Sequence, residues 1–300
     1  MSKPATHGRH GRPRRTSPRT PRLQHGRTRR LGAKGLRALA LGTPAALAAV
    51  LTVQGLRTAG EEYLPAPSYT VDLVVGGGRT TDPAGPRLAV LGDSTVEGIG
   101  ATGPERTLPA HIATRVAKRL RRPVEVVGLG SSGARTVDVA WRQAALLTSR
   151  DVDAVVVVVG SNDATHALPP WRMRRLTLQM LEAVRAAAGE VPVVLGGIPE
   201  FHTVPAVPQP LRWVLGAHAD VLRWRQRAAA AQARVPFVDI RALASPRFLA
   251  RPASMSGDGF HPSELGYGYW ADALAPAVVA VLASPAASGA GQHSDGPTRS

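Results

Sequence analysis

From residue 87 onward the chain alternates between two apolar patterns. Short continuous runs, RLAVLG (87–92), VEVVG (124–128), DAVVVVVG (153–160), VPVVLGG (191–197) and VPFVDI (235–240), read as strands buried on both faces. Between them apolar residues recur at helical spacing. Leu108, Ile112, Val116 and Leu120 repeat every four residues, as do Leu176, Met180 and Val184, with Met173 and Leu181 on the same face. The segment ARTVDVAWRQAALL (134–147) also reads as a helix, and ADALAPAVVAVLA (271–283) closes the pattern near residue 284. Strands alternating with helices predict an α/β fold: a three-layer α/β/α sandwich on a doubly wound parallel sheet of about five strands.

Upstream the pattern changes. Residues 1–37 are rich in Arg, Pro, Gly, Thr and His and hold almost nothing to bury, so a disordered basic tail is expected. Residues 38–56, ALALGTPAALAAVLTVQGL, are uncharged and bounded by Arg37 and Arg57. As a helix this segment spans about 28 Å, close to the thickness of a bilayer's hydrocarbon core. It reads as a membrane anchor with the basic tail cytoplasmic and the body outside. The alternative is a signal segment cleaved on export, since TRRLGAK (28–34) has a twin-arginine flavour; a third reading, a buried Ala-rich helix, fits Gly42, Pro44 and the flanking arginines poorly. Residues 57–86 read as a Pro- and Gly-rich linker in which SYTVDLVV (68–75) could form a short edge strand. Residues 87–284 form the folded domain, and 285–300 a disordered tail.

Charge and composition narrow the function classes. The formal charge of +16 sits in the tail: residues 1–57 carry thirteen basic residues and no acid, leaving 24 basic against 21 acidic in the rest. The tail lacks interleaved aromatics for stacking on bases, so no nucleic-acid partner is expected; beside an apolar segment it favours anionic lipid instead. The absence of cysteine excludes disulfides, thiol catalysis and Cys-ligated metal.

In doubly wound sheets ligands sit outside the carboxyl ends of the strands. Four segments there could carry chemistry: GDSTVEGIG (92–100), GLGSSG (128–133), GSNDATH (160–166) and, before the last helix, DGFHPSELGYGYWA (258–271). Asp258 and His261 are close enough in sequence for the carboxylate to orient the imidazole, and Pro262 suits a helix entrance. Ser94, at a helix start after a strand, is the candidate nucleophile. The amides of Ser94 and Gly133 and the side chain of Asn162 are candidate oxyanion donors. A glycine at 133 would keep a side chain from crowding its amide, while Gly128 and Gly130 would let the chain turn tightly off its strand. Taken singly, each has a plainer reading: Ser94 as a helix cap, Asn162 and Asp163 as turn formers, Asp258 and His261 as a capping pair.

Together, in this order, the blocks GDS (92–94), SSGA (131–134), GSND (160–163) and DGFHP (258–262) resemble those of the SGNH hydrolases, the GDSL-type lipase and esterase superfamily. The likeness covers residues 87 to about 284. It implies a flavodoxin-like sandwich, a Ser94–His261–Asp258 triad with no cofactor or metal, and hydrolysis of carboxylic esters through an acyl-enzyme. An acyltransferase or deacetylase acting on a sugar or lipid would use the same site. Members often carry Asn shortly before the second-block glycine, where this chain has Gly128, which loosens the detail of that loop. A non-catalytic binder on the same fold is disfavoured by the intact residue set. A dinucleotide site at GLGSSG is disfavoured because Asp151 and Asp153 stand at the wrong end of the next strand.

The remaining features carry less. His7, His10 and His25 lie in the tail, and His111, His166, His202 and His218 have no metal-ligand spacing. Trp141, Trp171, Trp213, Trp224 and Trp270 read as core or surface filler. FHTVPAVPQPLRWVLG (201–216) either lines an acyl pocket or is an ordinary long connection.

Overall fold

The computed structural model describes residues 33–61, 63–76 and 85–284, the backbone alone at 33–43 and 59. The chain divides into two units, Met1–Ala48 and Ala49–Ser300. Of the first, the described part is the start of helix α1 (Ala33–Ala59), which contains Pro44. The rest of the expected basic tail and all of the expected 285–300 tail lie outside the described residues. Everything below concerns the second unit.

All five apolar runs form strands: β2 (Arg87–Gly92), β3 (Val124–Gly130), β4 (Ala154–Val158), β5 (Val193–Gly196) and β6 (Phe237–Val238). They are parallel, as expected. A sixth, β1 (Val71–Val75), lies antiparallel on the outer edge of β3, with Val71 opposite Gly128 and Val75 opposite Val124. The sheet, in the order β1-β3-β2-β4-β5-β6, is therefore mixed and has six strands, and it begins inside the segment expected to be linker. The physical reason is local. VDLVV alternates, with Val71 buried and Asp72 exposed, as suits a strand that covers an open edge and keeps one face in water.

Alternate residues of each strand serve opposite layers, because side chains alternate across a sheet. Leu88, Val90, Val126, Val156 and Val194 meet α3 (Leu108–Leu120) and α9 (Glu264–Leu282) through Ile112, Val116, Leu274 and Val278. Ala89, Leu91, Val155, Val157 and Leu195 meet α6 (Pro170–Ala188) and α7 (Leu211–Ala233) through Met180, Leu181, Val184 and Ala230. The three-layer α/β/α sandwich follows. Among the described residues one helix, α9, is long and apolar enough to cross a membrane by length and composition. Its Tyr267, Trp270, Ala271, Leu274 and Val278 are nevertheless buried in this core.

Short helices complete the chain: α2 (Ser94–Glu97), α4 (Thr136–Asp138), α5 (Ser161–Thr165) and α8 (Ile240–Ala250). The regular helix expected over 134–147 is broken into α4, a π turn (Val139–Gln143) and a 3-10 turn (Ala144–Leu147). The irregular path buries Val139, Ala144 and Leu147 and also delivers Gln143 to the end of β2. The chain leaves β2 toward β3 on one side and later returns to β4 on the other. That reversal opens a crevice at the carboxyl ends of β2 and β4, which is where Ser94 and Asn162 stand.

Candidate active site

Ser94 is the first residue of α2. Asp93 caps the helix, accepting from the Thr95 amide at 3.0 Å and its hydroxyl at 2.7 Å. Burial pushes the Asp93 carboxyl up, against those two bonds. With its side chain turned back on the helix, Asp93 leaves Ser94 facing the crevice. His261 Nε2 lies 3.0 Å from Ser94 Oγ, and His261 Nδ1 lies 2.7 Å from Asp258 Oδ2. Both the imidazole and the carboxylate are almost wholly withdrawn from solvent.

Asp258 is set by its own loop. Its Oδ1 accepts from Ser256 Oγ (2.7 Å) and from the amides of Phe260 (2.9 Å) and His261 (3.0 Å). Burial alone would raise this carboxyl. The bonds from His261, Phe260 and Ser256 outweigh it and hold the group well below the usual carboxylate range. The loop is closed by a bridge between Met255 and Pro262, after which Ser263 caps α9. One turn on, the buried Tyr267 hydroxyl donates to the Ile99 carbonyl, tying the helix behind His261 to the loop behind Ser94.

The expected oxyanion donors come from three loops. No protein acceptor among the described residues takes the Ser94 or Gly133 amide proton. Asn162, on α5, donates one amide hydrogen to the Ala134 carbonyl at 3.0 Å, which leaves its second. Asp163 beside it turns inward and accepts from the Thr136 amide and hydroxyl, each at 2.8 Å, so α5 is tied to α4; burial pushes this carboxyl up as well. Gly133 occupies the third position of a turn closed by Ala134 N–H to Ser131 O (3.0 Å), at φ +77°. A Cβ at 133 would meet nothing within 4 Å, so the glycine is required by its left-handed backbone and not by crowding. The Glu97 carboxylate holds this turn against α2 by accepting from the Ser132 amide at 2.7 Å.

Gly128 and Gly130 do not make a turn. They lie within β3. A Cβ at Gly130 would fall 2.3 Å from the Glu97 nitrogen and 2.7 Å from the Asp93 carbonyl, so the residue is needed where the α2 backbone crosses the strand.

An apolar cavity of about 50 Å³ opens beside Ser94 and His261, walled by Phe201, Val204, Phe248, Met255, Phe260 and Trp270, with Asn162 at its rim. Phe201 and Val204 belong to the 201–216 segment, so that segment does line the crevice. Its Val207 packs beneath with Ile198 and Leu222, while Trp213 stays exposed. Of the tryptophans, Trp270 alone lies in the wall; Trp141, Trp171 and Trp224 are exposed like Trp213. Glu200, His202 and Asp220 converge as a metal site would require. Arg241 Nε, however, lies 2.6 Å from Glu200 and 3.2 Å from Asp220, in the place a cation would take.

Two positioning residues were not legible in the sequence. Gln143, buried, donates to the Gly92 carbonyl (2.7 Å) and accepts from its amide (2.9 Å), two residues before Ser94. Gln226, fully buried, donates to the Val159 carbonyl (2.9 Å) and accepts from the Ile198 amide (3.1 Å), behind Asn162. Each glutamine bonds backbone groups at the strand ends, the Gly92 carbonyl sharing its other bond with the Ser131 amide.

A model of the GDSL-like lipase/acylhydrolase family matches residues 90–269, more than half the chain. The chain belongs to this family. Among curated proteins, the GDSL-like esterase Rv1075c of Mycobacterium tuberculosis is 30% identical over 200 residues, which cover 65% of this chain and 62% of that protein. The match thus spans somewhat under two thirds of the relative's length. Among solved structures, TesA superposes with a TM-score of 0.53 at 22% identity, covering 65% of this chain and 99% of TesA. LAE5, an alpha/beta hydrolase enzyme from the metagenome of Lake Arreo, Spain, gives 0.52 at 22% identity, covering 67% and 98%. These likenesses establish the GDSL-like fold for the body of the chain. The family match begins at residue 90, after α1 and β1.

Proposed function

We propose that this GDSL-like protein is a serine esterase that hydrolyses carboxylic esters through an acyl-enzyme on Ser94. The observation that carries the reading is the unbroken hydrogen-bond line Asp258 Oδ2–His261–Ser94 Oγ, buried at the mouth of an apolar cavity. His261 Nε2 takes the Ser94 proton as Oγ bonds to the ester carbonyl carbon. Asp258 holds the opposite ring nitrogen and stabilises the imidazolium. The carbonyl oxygen, now negative, is met by the amides of Ser94 and Gly133 and by the free hydrogen of the Asn162 amide. Collapse breaks the carbon–oxygen bond to the alcohol, which leaves with the proton from His261. Water then repeats the sequence and releases the acid, restoring Ser94. Every proton moved passes through His261, coming from Ser94 in the first half and from water in the second.

The cavity has room for about four water-sized groups, which favours acyl chains of about two to four carbons. Residues 38–56 act as the membrane anchor in this reading, with 1–37 cytoplasmic and the body outside. Val50, Val53 and Leu56 of α1 are exposed, as lipid-facing positions would be.

The test is hydrolysis of p-nitrophenyl esters of graded acyl length by the full chain. Activity falling from acetate and butyrate to octanoate is expected, with a loss of at least about 10³-fold in Ser94→Ala. Full activity in Ser94→Ala would sink the mechanism. For the anchor, protease added to intact cells should digest the body; protection until lysis would reverse the topology.

A further inference from the structure

The oxygen of Asp258 that faces His261 has one other partner, and it comes from far outside the site. All three donors to Oδ1 belong to residues 256–261. Oδ2, which holds the imidazole, also accepts from the Leu64 amide at 3.4 Å, a contact 194 residues distant in sequence. The neighbouring residue, Tyr63, lies over the same pair. Its ring is 4.7 Å from the Phe260 ring and meets the His261 ring edge-on at 5.8 Å. Phe260 is in turn a wall of the acyl cavity.

Tyr63 is itself held. Its hydroxyl donates to the Thr58 carbonyl at 3.1 Å, and burial, then the charges of Asp258 and Glu61, push the phenol up, so it remains a donor. Farther back, at the end of α1, the Gln54 side chain donates to the Gln209 carbonyl (2.6 Å) and accepts from the Leu211 amide (3.1 Å). Gln209 and Leu211 follow directly on the stretch whose Phe201 and Val204 line the cavity. Gln54, Tyr63 and Leu64 thus join the 201–216 segment to the acid–histidine loop. These residues precede the family match, which begins at residue 90.

We infer that residues 54–61 with Tyr63 and Leu64 form a strap that completes the active site, and that Tyr63 is a positioning residue which holds the Asp258–His261 pair and Phe260 in their reactive arrangement. The inference rests on the esterase reading above. An aromatic ring packed edge-on against the imidazole limits its rotation and excludes water from the Asp258–His261 bond, and misplacing a proton-transfer pair by a fraction of an ångström is costly. Tyr63 touches no reacting atom. Its effect on the reaction passes through His261, so with the small acetyl ester it should appear in turnover more than in substrate affinity.

The experiment compares the full-length chain in detergent with Tyr63→Ala, Tyr63→Phe and Ser94→Ala, using p-nitrophenyl acetate and a fluorophosphonate that labels the active serine. Tyr63→Ala is expected to lower kcat and the labelling rate about tenfold, with KM within about threefold of wild type. Tyr63→Phe keeps the ring and should recover most of that loss. Wild-type kcat in Tyr63→Ala overturns the strap, as does a loss in Tyr63→Phe as deep as in Tyr63→Ala. If Tyr63→Ala does not fold, Gln54→Ala decides: a drop in kcat of about threefold supports the strap, and none overturns it. A wild-type chain that neither hydrolyses the ester nor takes the label would instead sink the esterase reading, and the strap with it. Activity that Ser94→Ala abolishes and Tyr63→Ala leaves intact would sink the strap alone.

Discussion

The two sides of the crevice are built differently. The acid–histidine arm is nearly self-contained: Ser256, Asp258, Phe260 and His261 bond one another within six residues, and the same loop runs into the cap of α9. The proposed oxyanion arm is assembled from three loops that follow β2, β3 and β4. Gln143 clamps the first, Glu97 the second, and Asp163 with Gln226 the third. The proposed site combines a proton relay set mostly by its own loop with a distributed set of donors. Apart from the Tyr63–Leu64 contact, the relay should tolerate changes elsewhere in the fold, while the donors should be sensitive to residues that never touch substrate.

The sharpest way to probe the distributed arm is Asn162→Ala. Loss of one oxyanion donor should lower kcat by about 10²–10³-fold, or about 2.7–4 kcal/mol of transition-state stabilisation. The fold should lose only the bond to Ala134, about 1 kcal/mol. Steady-state kinetics beside a denaturant melt would separate the two, and a kcat within threefold of wild type would remove Asn162 from the site. Next comes Gln143→Leu, which leaves the Gly92 amide buried without a partner, while the Gly92 carbonyl keeps the Ser131 amide at 3.2 Å. An orphaned buried group costs about 1–3 kcal/mol, so urea unfolding should register a destabilisation of that size. An unchanged midpoint would mean the arm does not depend on its clamp. Gly133→Ala should be milder. The site has room for the methyl, so the cost is that of a left-handed alanine, about 1–2 kcal/mol, with lower kcat and a folded protein. A crystal structure of the variant with an unchanged turn and undiminished turnover would argue against a donor role for this amide.

The smallest effect concerns the local arm and pH. The Asp258 carboxyl titrates below its unfolded value, so the unfolded chain binds more protons over that interval. The stabilisation from Asp258 is therefore present above the unfolded carboxylate pKa, about 3.9, and fades as pH falls toward the lower folded value. Melting temperatures of wild type and Asp258→Asn should diverge above about pH 4 and converge below it. Curves that converge on raising the pH instead would contradict the bonding described for this loop.

Much of the catalytic body could be read from the residues in order. Each of the five parallel strands arose from its apolar run because strands covered on both faces are continuously apolar at their centres, although β6 keeps only Phe237–Val238 of the 235–240 run. Asp258 and His261 were legible as a pair because only two residues separate them, and a local contact leaves a local pattern. Ser94 and Asn162 were legible because each lies just past a strand end, beyond Gly92 of β2 and Val158 of β4 respectively. The edge strand β1 was visible only as one option within a linker, since alternation over five residues is a weak signal until an open edge exists to receive it. Gly130 was misread for a related reason. Its requirement comes from the α2 backbone crossing it, and nothing in GLGSSG announces that crossing.

By itself the sequence determined which segments become strands, which loops carry reactive groups, and the local geometry of the acid–histidine turn. These follow from hydrophobic periodicity, strand-end placement and contacts a few residues long. Only the tertiary structure decided that Gln143 and Gln226 brace the strand ends, that residues 201–204 wall the cavity, and that Tyr63 and Leu64 reach Asp258. Such contacts join residues tens to nearly two hundred positions apart. Their partners are ordinary glutamines, a tyrosine and backbone amides, which acquire a role only when the packed layers withdraw the groups around them from water.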